Sequence, residues 1–193
     1  MAVSIVRFIR EKSTSVGLQG LVRLEIEGWL FALLGWIPGM TGFVLRHCIL
    51  KFLAKSVGGF SWIQPRVTLV HTSRLSVGNY FGVNSGTYIN AIGGITMGNH
   101  VLIGSNVTIS SGRHPIEGTH PPVFARETIP LSITIEDDVW IGAGAVIMPG
   151  VRLRRGTVVG ANAVVTKDTN EYAVVVGAPA RTIKTRTNTE SIA

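Results

Sequence analysis

The sequence predicts a mainly β chain wound as a solenoid of short parallel strands, preceded by a helical, apolar and basic segment and interrupted by one extruded loop. Three observations carry that prediction. Aliphatic residues recur at every sixth position, on Ile135, Ile141, Ile147, Leu153, Val159 and Val165. That period matches neither an amphipathic helix, with apolar residues three or four apart, nor a half-buried strand, which alternates. The hexads themselves, IGAGAV, IMPGVR, LRRGTV and VGANAV, are rich in glycine and other small residues. A short internal period of this kind marks a repeat in which each hexad supplies one flat face of a triangular coil, three to a turn of about eighteen residues. The aliphatics then stack inside the prism, and Gly142 and Gly160 leave room where the chain bends.

The segment before the solenoid, residues 1–60, has a different character. Residues 28–45 read GWLFALLGWIPGMTGFVL, without a charge. A bilayer span needs about twenty such residues, and Pro38-Gly39 breaks a helix in two. The continuation RHCILKFLAK spaces Arg46, Lys51 and Lys55 through aliphatics as an amphipathic helix does. Trp29 and Trp36 suit the membrane–water boundary. The net charge is +7, and seven basic residues face three acidic ones within the first sixty. A basic chain suggests nucleic acid first; here the apolar company of the charges points instead to an anionic membrane surface and excludes nucleic acid. Two short helices lying in one leaflet are expected, peripheral on the inner face of the cell membrane of a cytoplasmic protein. The competing reading is a helical cap on the open end of the solenoid, or a subunit contact. No cleavable signal is recognised.

The solenoid is expected over residues 61–184. Its first block runs VGNYFG, VNSGTY, INAIGG, slips after Ile95, and resumes at Met97 with MGNHVL, IGSNVT and ISSGRH. From 115 to about 131 the repeat vanishes, leaving PIEGTHPPVFARETIPL with four prolines. Such a loop on a rigid scaffold usually carries function. Residues 185–193 form a polar tail. With 193 residues, 46% hydrophobic and 15% charged, the chain suits one folded domain rather than a disordered one. The single Cys48 cannot form an internal disulfide, in keeping with a reducing compartment.

The run DDVWIGAGAVIMPG, with GANAVVTKD and GAPAR after it, resembles the hexapeptide-repeat acyltransferases. It is most similar to the small O-acetyltransferases of sugars, antibiotics and bacterial surface polysaccharides. The resemblance covers roughly residues 75–184. It implies a left-handed parallel β-helix, a hand that β-crossovers otherwise almost never take. It also implies a homotrimer with sites between subunits, acetyl-CoA as co-substrate and a saccharide acceptor. The chain has no GxSxG elbow and no metal-ligand pattern among its five histidines and one cysteine. Direct transfer without a metal or a covalent acyl-enzyme is therefore expected.

Residue roles follow from the same resemblance. His114, in SSGRHPI at the mouth of the loop, takes the place of the catalytic base, a role imidazole suits because it titrates near neutrality; His120 is the fallback. Asn84 falls where an asparagine holds the acceptor, with Asn90 as the alternative one hexad on. Trp140 walls the thioester end of a donor groove, whose small residues Ala143 and Ala161 expose backbone to the pantetheine arm. Thr166 and Lys167 meet the nucleotide phosphates, flanked by Arg181 and Lys184. One departure stands out: the apolar N-terminus replaces the soluble helical one that helps bind acceptor in the maltose and galactoside enzymes. The leading expectation is an acetyl-CoA-dependent O-acetyltransferase of a surface polysaccharide, in a lipid-linked form. Its alternatives are a soluble acetyltransferase of a small sugar or antibiotic, and a non-catalytic scaffold.

Overall fold

The aliphatics at every sixth position do face inward. Ile135, Ile141 and Ile147 are buried and pair across the coil with Leu153, Val159 and Val165, which are buried as well. The computed structural model describes residues 17–187. The first sixteen residues of the N-terminal segment and the polar tail beyond residue 187 lie outside the described residues.

Three parallel sheets form the walls of the prism. The first holds Ser56–Val57, Leu75–Val77, Ile95–Met97, Ile133–Ile135 and Arg152–Leu153. The second holds Ser61–Ile63, Phe81–Val83, Leu102–Ile103, Trp140–Ile141, Val158–Val159 and Ala173–Val176, with Arg181–Thr185 added antiparallel at its end. The third holds Thr68–Val70, Tyr88–Asn90, Thr108–Ser110, Val146–Ile147 and Val164–Val165. The coil length is not constant. Val77 pairs with Met97, twenty residues on, whereas Ile135 pairs with Leu153, eighteen on. The slip after Ile95 has a simple cause. The corner before the first sheet is longer in the early coils, so Ile95 and Met97 both point inward from one strand.

The three outer faces differ in chemistry. Paired residues along the first sheet read Ser56, Ser76, Thr96 and Thr134, a row of four hydroxyls that ends at Arg152. Along the second they read Trp62, Gly82, Leu102, Trp140 and Val158, an apolar row. Corners repeat as strictly as walls. Gly144 and Asn162 both adopt left-handed backbone at one corner, and a Cβ at Gly144 would lie 2.2 Å from Asn162 Oδ1. Gly142 serves a different need: its Cβ would meet Ala161 N at 2.7 Å, so close coil stacking, not an unusual φ, excludes a side chain there.

Helices α1 (Leu18–Leu34) and α2 (Gly39–Leu53) break where expected, with Pro38 as the N-cap of α2. They close the open end of the solenoid, their Phe31, Ile49, Leu50 and Leu53 joining its core. An open end leaves unpaired backbone groups, because each coil normally bonds to the next, as Gln64 N–H does to Val83 O. Neighbouring residues of α2 fill that gap. Arg46 Nε donates to Ile63 O at 2.7 Å, and Ser61 N–H donates to His47 Nδ1 at 3.2 Å. Burial, then nearby Lys51, holds the His47 imidazole below its usual range, which keeps Nδ1 free to accept. Arg46 is thus buried against the solenoid, not turned toward lipid as its spacing in the sequence suggests. The helices are apolar on their outer side too. Leu18, Val22, Ile26, Trp29 and Leu33 form one exposed stripe along α1. Among the described residues no helix is long and apolar enough to cross a membrane.

Glu27 of α1 is buried, and its Oε2 accepts from Thr72 N–H at 3.1 Å and from the Thr72 hydroxyl at 2.8 Å. Desolvation outweighs those bonds and raises its pKa above 4.5. A raised acid stabilises the fold at low pH and loses that contribution as pH climbs through the folded value. Glu27→Gln keeps an oxygen for Thr72 and cannot ionise. Its stability relative to wild type, read from urea midpoints, should therefore rise with pH above 4.5 and level off once the pH has passed the raised folded value. A gap that stays constant across pH contradicts this account.

Candidate active site

The extruded loop leaves the prism on a short antiparallel stem, where Gly112 pairs with Pro130 and Arg113 with Ile129. Its shape is held by one side chain that sequence reasoning missed. The Arg126 guanidinium donates to four carbonyls: Pro121 O at 2.7 Å, Glu117 O and Gly118 O at 2.8 Å, and Pro115 O at 3.0 Å. Its one signal in the sequence is that it is the single arginine of the proline-rich stretch. Arg113 and Glu117 add an exposed ion pair at 3.8 Å. The Glu117 carboxyl sits below its usual range because its own N–H, and then that of Ile116, point at it.

His114 stands between stem and clamp, exposed, at the corner that follows the third sheet. Asn90 ends a strand of that sheet and reaches the same corner, where its backbone carbonyl accepts from Ser111 N–H at 3.0 Å. Its side-chain oxygen is committed to Ile92 N–H at 3.1 Å. Thr166 and Lys167 follow the last strand of the third sheet and lie exposed on this corner as well.

The remaining candidates gather elsewhere. Asn84 opens a column at the corner after the second sheet: Asn84 N–H bonds Ile103 O, Gly104 N–H bonds Ile141 O, and Gly142 N–H bonds Val159 O. Ala143 and Ala161 are exposed at this corner, where Asn162 N–H bonds Ala143 O at 2.9 Å. The Asn84 amide is half-buried and makes no side-chain hydrogen bond among the described residues. Trp140, 53% exposed, belongs to the adjoining outer row, which continues through Val158 and Val174 to Lys184. At about 4.8 Å per strand, Trp140 and Lys184 are about 14 Å apart. Arg181 lies on the same terminal strand as Lys184. Lys167, Arg181 and Lys184 have no ion pair among the described residues. Arg152, Arg155 and Arg186 are paired with Glu136, Asp137 and Asp138.

One chain therefore carries two half-sites on different corners. His114, Asn90, Thr166 and Lys167 share one; Asn84, Ala143, Ala161, Trp140, Arg181 and Lys184 surround the other. Strands of the third sheet, at about 3.3 Å per residue, keep them about 10 Å or more apart. Among the described residues no group of acidic, histidine or cysteine side chains is placed to hold a metal.

A solenoid of hexads with a loop of this kind defines a class of bacterial transferase. The family described as bacterial transferase hexapeptide (six repeats) matches residues 132–167. The galactoside O-acetyltransferase of Escherichia coli strain K12 is 35% identical over 139 residues, 72% of this chain and 68% of that protein. WcaF of the same strain, a candidate colanic acid biosynthesis acetyltransferase, is 27% identical over 181 residues, 92% of this chain and 96% of that one. Among solved structures, a hexapeptide-repeat acetyltransferase from Vibrio cholerae, complexed with acetyl coenzyme A, superposes with a TM-score of 0.80. It is 27% identical and the match covers 89% of this chain and 91% of that one. The chain belongs to the hexapeptide-repeat acetyltransferases.

Proposed function

We propose that the protein moves an acetyl group from acetyl-CoA to a hydroxyl of a surface saccharide in its lipid-linked form, by direct transfer with His114 as the base. The observation that carries the donor and the reaction class is the likeness, over most of the chain, to a galactoside O-acetyltransferase and to an acetyl-CoA-bound relative. His114 takes the proton of the acceptor hydroxyl as its oxygen attacks the thioester carbonyl. The carbon–sulfur bond breaks, and the proton passes on to the departing thiolate. Trp140 and the backbone at Ala143 and Ala161 line the donor groove, and Lys167, Arg181 and Lys184 meet the nucleotide phosphates. The Asn84 amide, without a side-chain hydrogen bond among the described residues, suits the acceptor better than Asn90, whose oxygen is already occupied. The two half-sites become one when the loop corner of one protomer faces the second sheet of its neighbour, and the apolar outer row through Leu102 and Trp140 favours such a contact. A homotrimer supplies that pairing around a threefold axis.

The membrane part of the reading rests on the exposed stripe of α1, which continues over the turn through Trp36 to Met40 and Val44. Exposed Lys51 and Lys55 flank it, each adding about 1 kcal/mol near anionic lipid. The helices also belong to the solenoid core, so deletion is a poor probe and substitution of the outer stripe a clean one. Full-length protein should sediment with phosphatidylglycerol vesicles at low salt. The triple variant Trp29→Gln, Leu33→Gln, Met40→Gln should lose most of that binding and keep its affinity for CoA. Acetyl transfer should fall more on a vesicle-borne acceptor than on a free sugar. Unchanged sedimentation removes the membrane from this reading and leaves an enzyme of small soluble sugars.

A further inference from the structure

A groove of about 670 Å³ crosses the first sheet, from the end of α2 to the stem of the extruded loop. Its wall carries hydroxyls: Ser76 and Thr96 pair in the outward row, and Ser132 stands beyond them. Its floor at Gly93 stays bare, since a Cβ there would meet Ser111 O at 2.3 Å. Two cations guard one end. Lys55 and Arg74 sit on neighbouring coils, tied by the Lys55 N–H bond to Leu75 O at 2.9 Å. Arg74 spends part of its guanidinium on Ile92 O. Neither cation has an ion pair among the described residues, and no carboxylate lines the groove. Cations beside hydroxyls and open backbone are the chemistry that phosphoryl oxygens seek.

The two ends of the groove give that chemistry a direction. Lys55 follows α2, whose outer side exposes Phe52 and Val44. At the other end Pro130 lies across the stem from Gly112, two residues before His114. We infer that this groove binds the phosphoryl group of the acceptor, a saccharide carried on a lipid phosphate or diphosphate. The phosphate rests at Lys55 and Arg74, the lipid runs toward the outer side of the helices, and the sugar runs toward the loop that carries His114. This rests on the lipid-linked acceptor proposed above and gives it a residue-level address. Arg74 shares the corner after the third sheet with Thr166 and Lys167, but it follows the first strand of that sheet and they follow the last. Four strand steps of about 4.8 Å put the two sites about 19 Å apart along the coil.

Inorganic pyrophosphate is the probe, titrated calorimetrically into full-length protein saturated with CoA, so that the nucleotide site is already filled. Wild type should bind it, and the double variant Lys55→Gln, Arg74→Gln should bind about tenfold or more weakly. Because Arg74 also bonds Ile92 O, Lys55→Glu serves as a second variant whose side chain makes no contact the fold needs; it should show a comparable loss. CoA affinity should be unchanged in both. Equal pyrophosphate binding by wild type and Lys55→Glu, or none by wild type, overturns the assignment. Lys55→Glu should also weaken vesicle binding, because Lys55 flanks the lipid-facing stripe. If Arg74→Gln, which has no part in that stripe, weakens binding to phosphatidylglycerol vesicles as much and pyrophosphate displaces wild type from them, the groove reads bilayer headgroups and the acceptor assignment falls. Failure of the acetyltransfer reading would appear separately, as no CoA release from acetyl-CoA with any saccharide.

Discussion

His114→Ala should lower turnover by about 10²–10⁴-fold, the usual share of a positioned general base, while leaving acetyl-CoA affinity nearly unchanged. The two parts of this expectation have separate grounds. The loss follows from removing the one imidazole whose backbone is held between a paired stem and the Arg126 clamp, at the mouth of the loop. The unchanged affinity follows because His114 is not among the donor contacts: Trp140, Ala143 and Ala161 surround a different corner, and Lys167, on His114's own corner, lies two strands further along the third sheet. Single-turnover release of CoA, measured beside equilibrium binding of CoA, reads both. Near-normal turnover sinks the assignment and moves attention to His120, which lies exposed farther along the loop, before Pro121. Weakened CoA binding with normal turnover would make His114 a donor contact instead.

The parts of the fold that were legible in the sequence are those governed by local period. Ile135 to Val165 declare their burial because a coil repeats one inward position per wall. The loop declares itself because from 115 to 131 the sixth-position aliphatics stop while four prolines crowd in. The helical break at Pro38 is equally local. What stayed hidden depends on neighbours distant in sequence. Trp29 and Phe31 are both large and apolar, yet one faces out and the other enters the solenoid core. An apolar segment buried on one side and exposed on the other leaves no polar stripe to show which is which. The candidate site was legible as a set of residues but not as an arrangement. Family register orders Asn84, His114, Ala143 and Lys167 along the chain and says nothing of corners. Their phase within the coil did hold that information: Asn84 and Ala143 follow the second sheet, while Lys167 follows the third.

Arg46→Met should destabilise the protein by about 2–4 kcal/mol, a large loss for one side chain on α2. The sequence places this arginine among lipid-facing cations, so the size of the effect separates the two views. In the folded chain its Nε donates to Ile63 O at 2.7 Å, and Nη1 donates to Ile37 O at 2.7 Å and to Gly35 O at 3.3 Å. Ile63 lies in the first coil of the second sheet, with no coil beneath it to supply a donor. The guanidinium stands in for that missing coil. Methionine fills much of the volume but leaves these carbonyls unpaired in a buried place, at about 1–3 kcal/mol each. Part of that cost is offset, because the buried guanidinium itself is disfavoured, its pKa lowered by desolvation with no carboxylate to compensate. Hence a net loss smaller than the sum of three bonds. Arg46→Lys, able to reach one carbonyl, should fall between. Urea midpoints measure the loss, and vesicle sedimentation of the folded variants should match wild type. A variant of normal stability that leaves the vesicles would return Arg46 to the lipid-facing side.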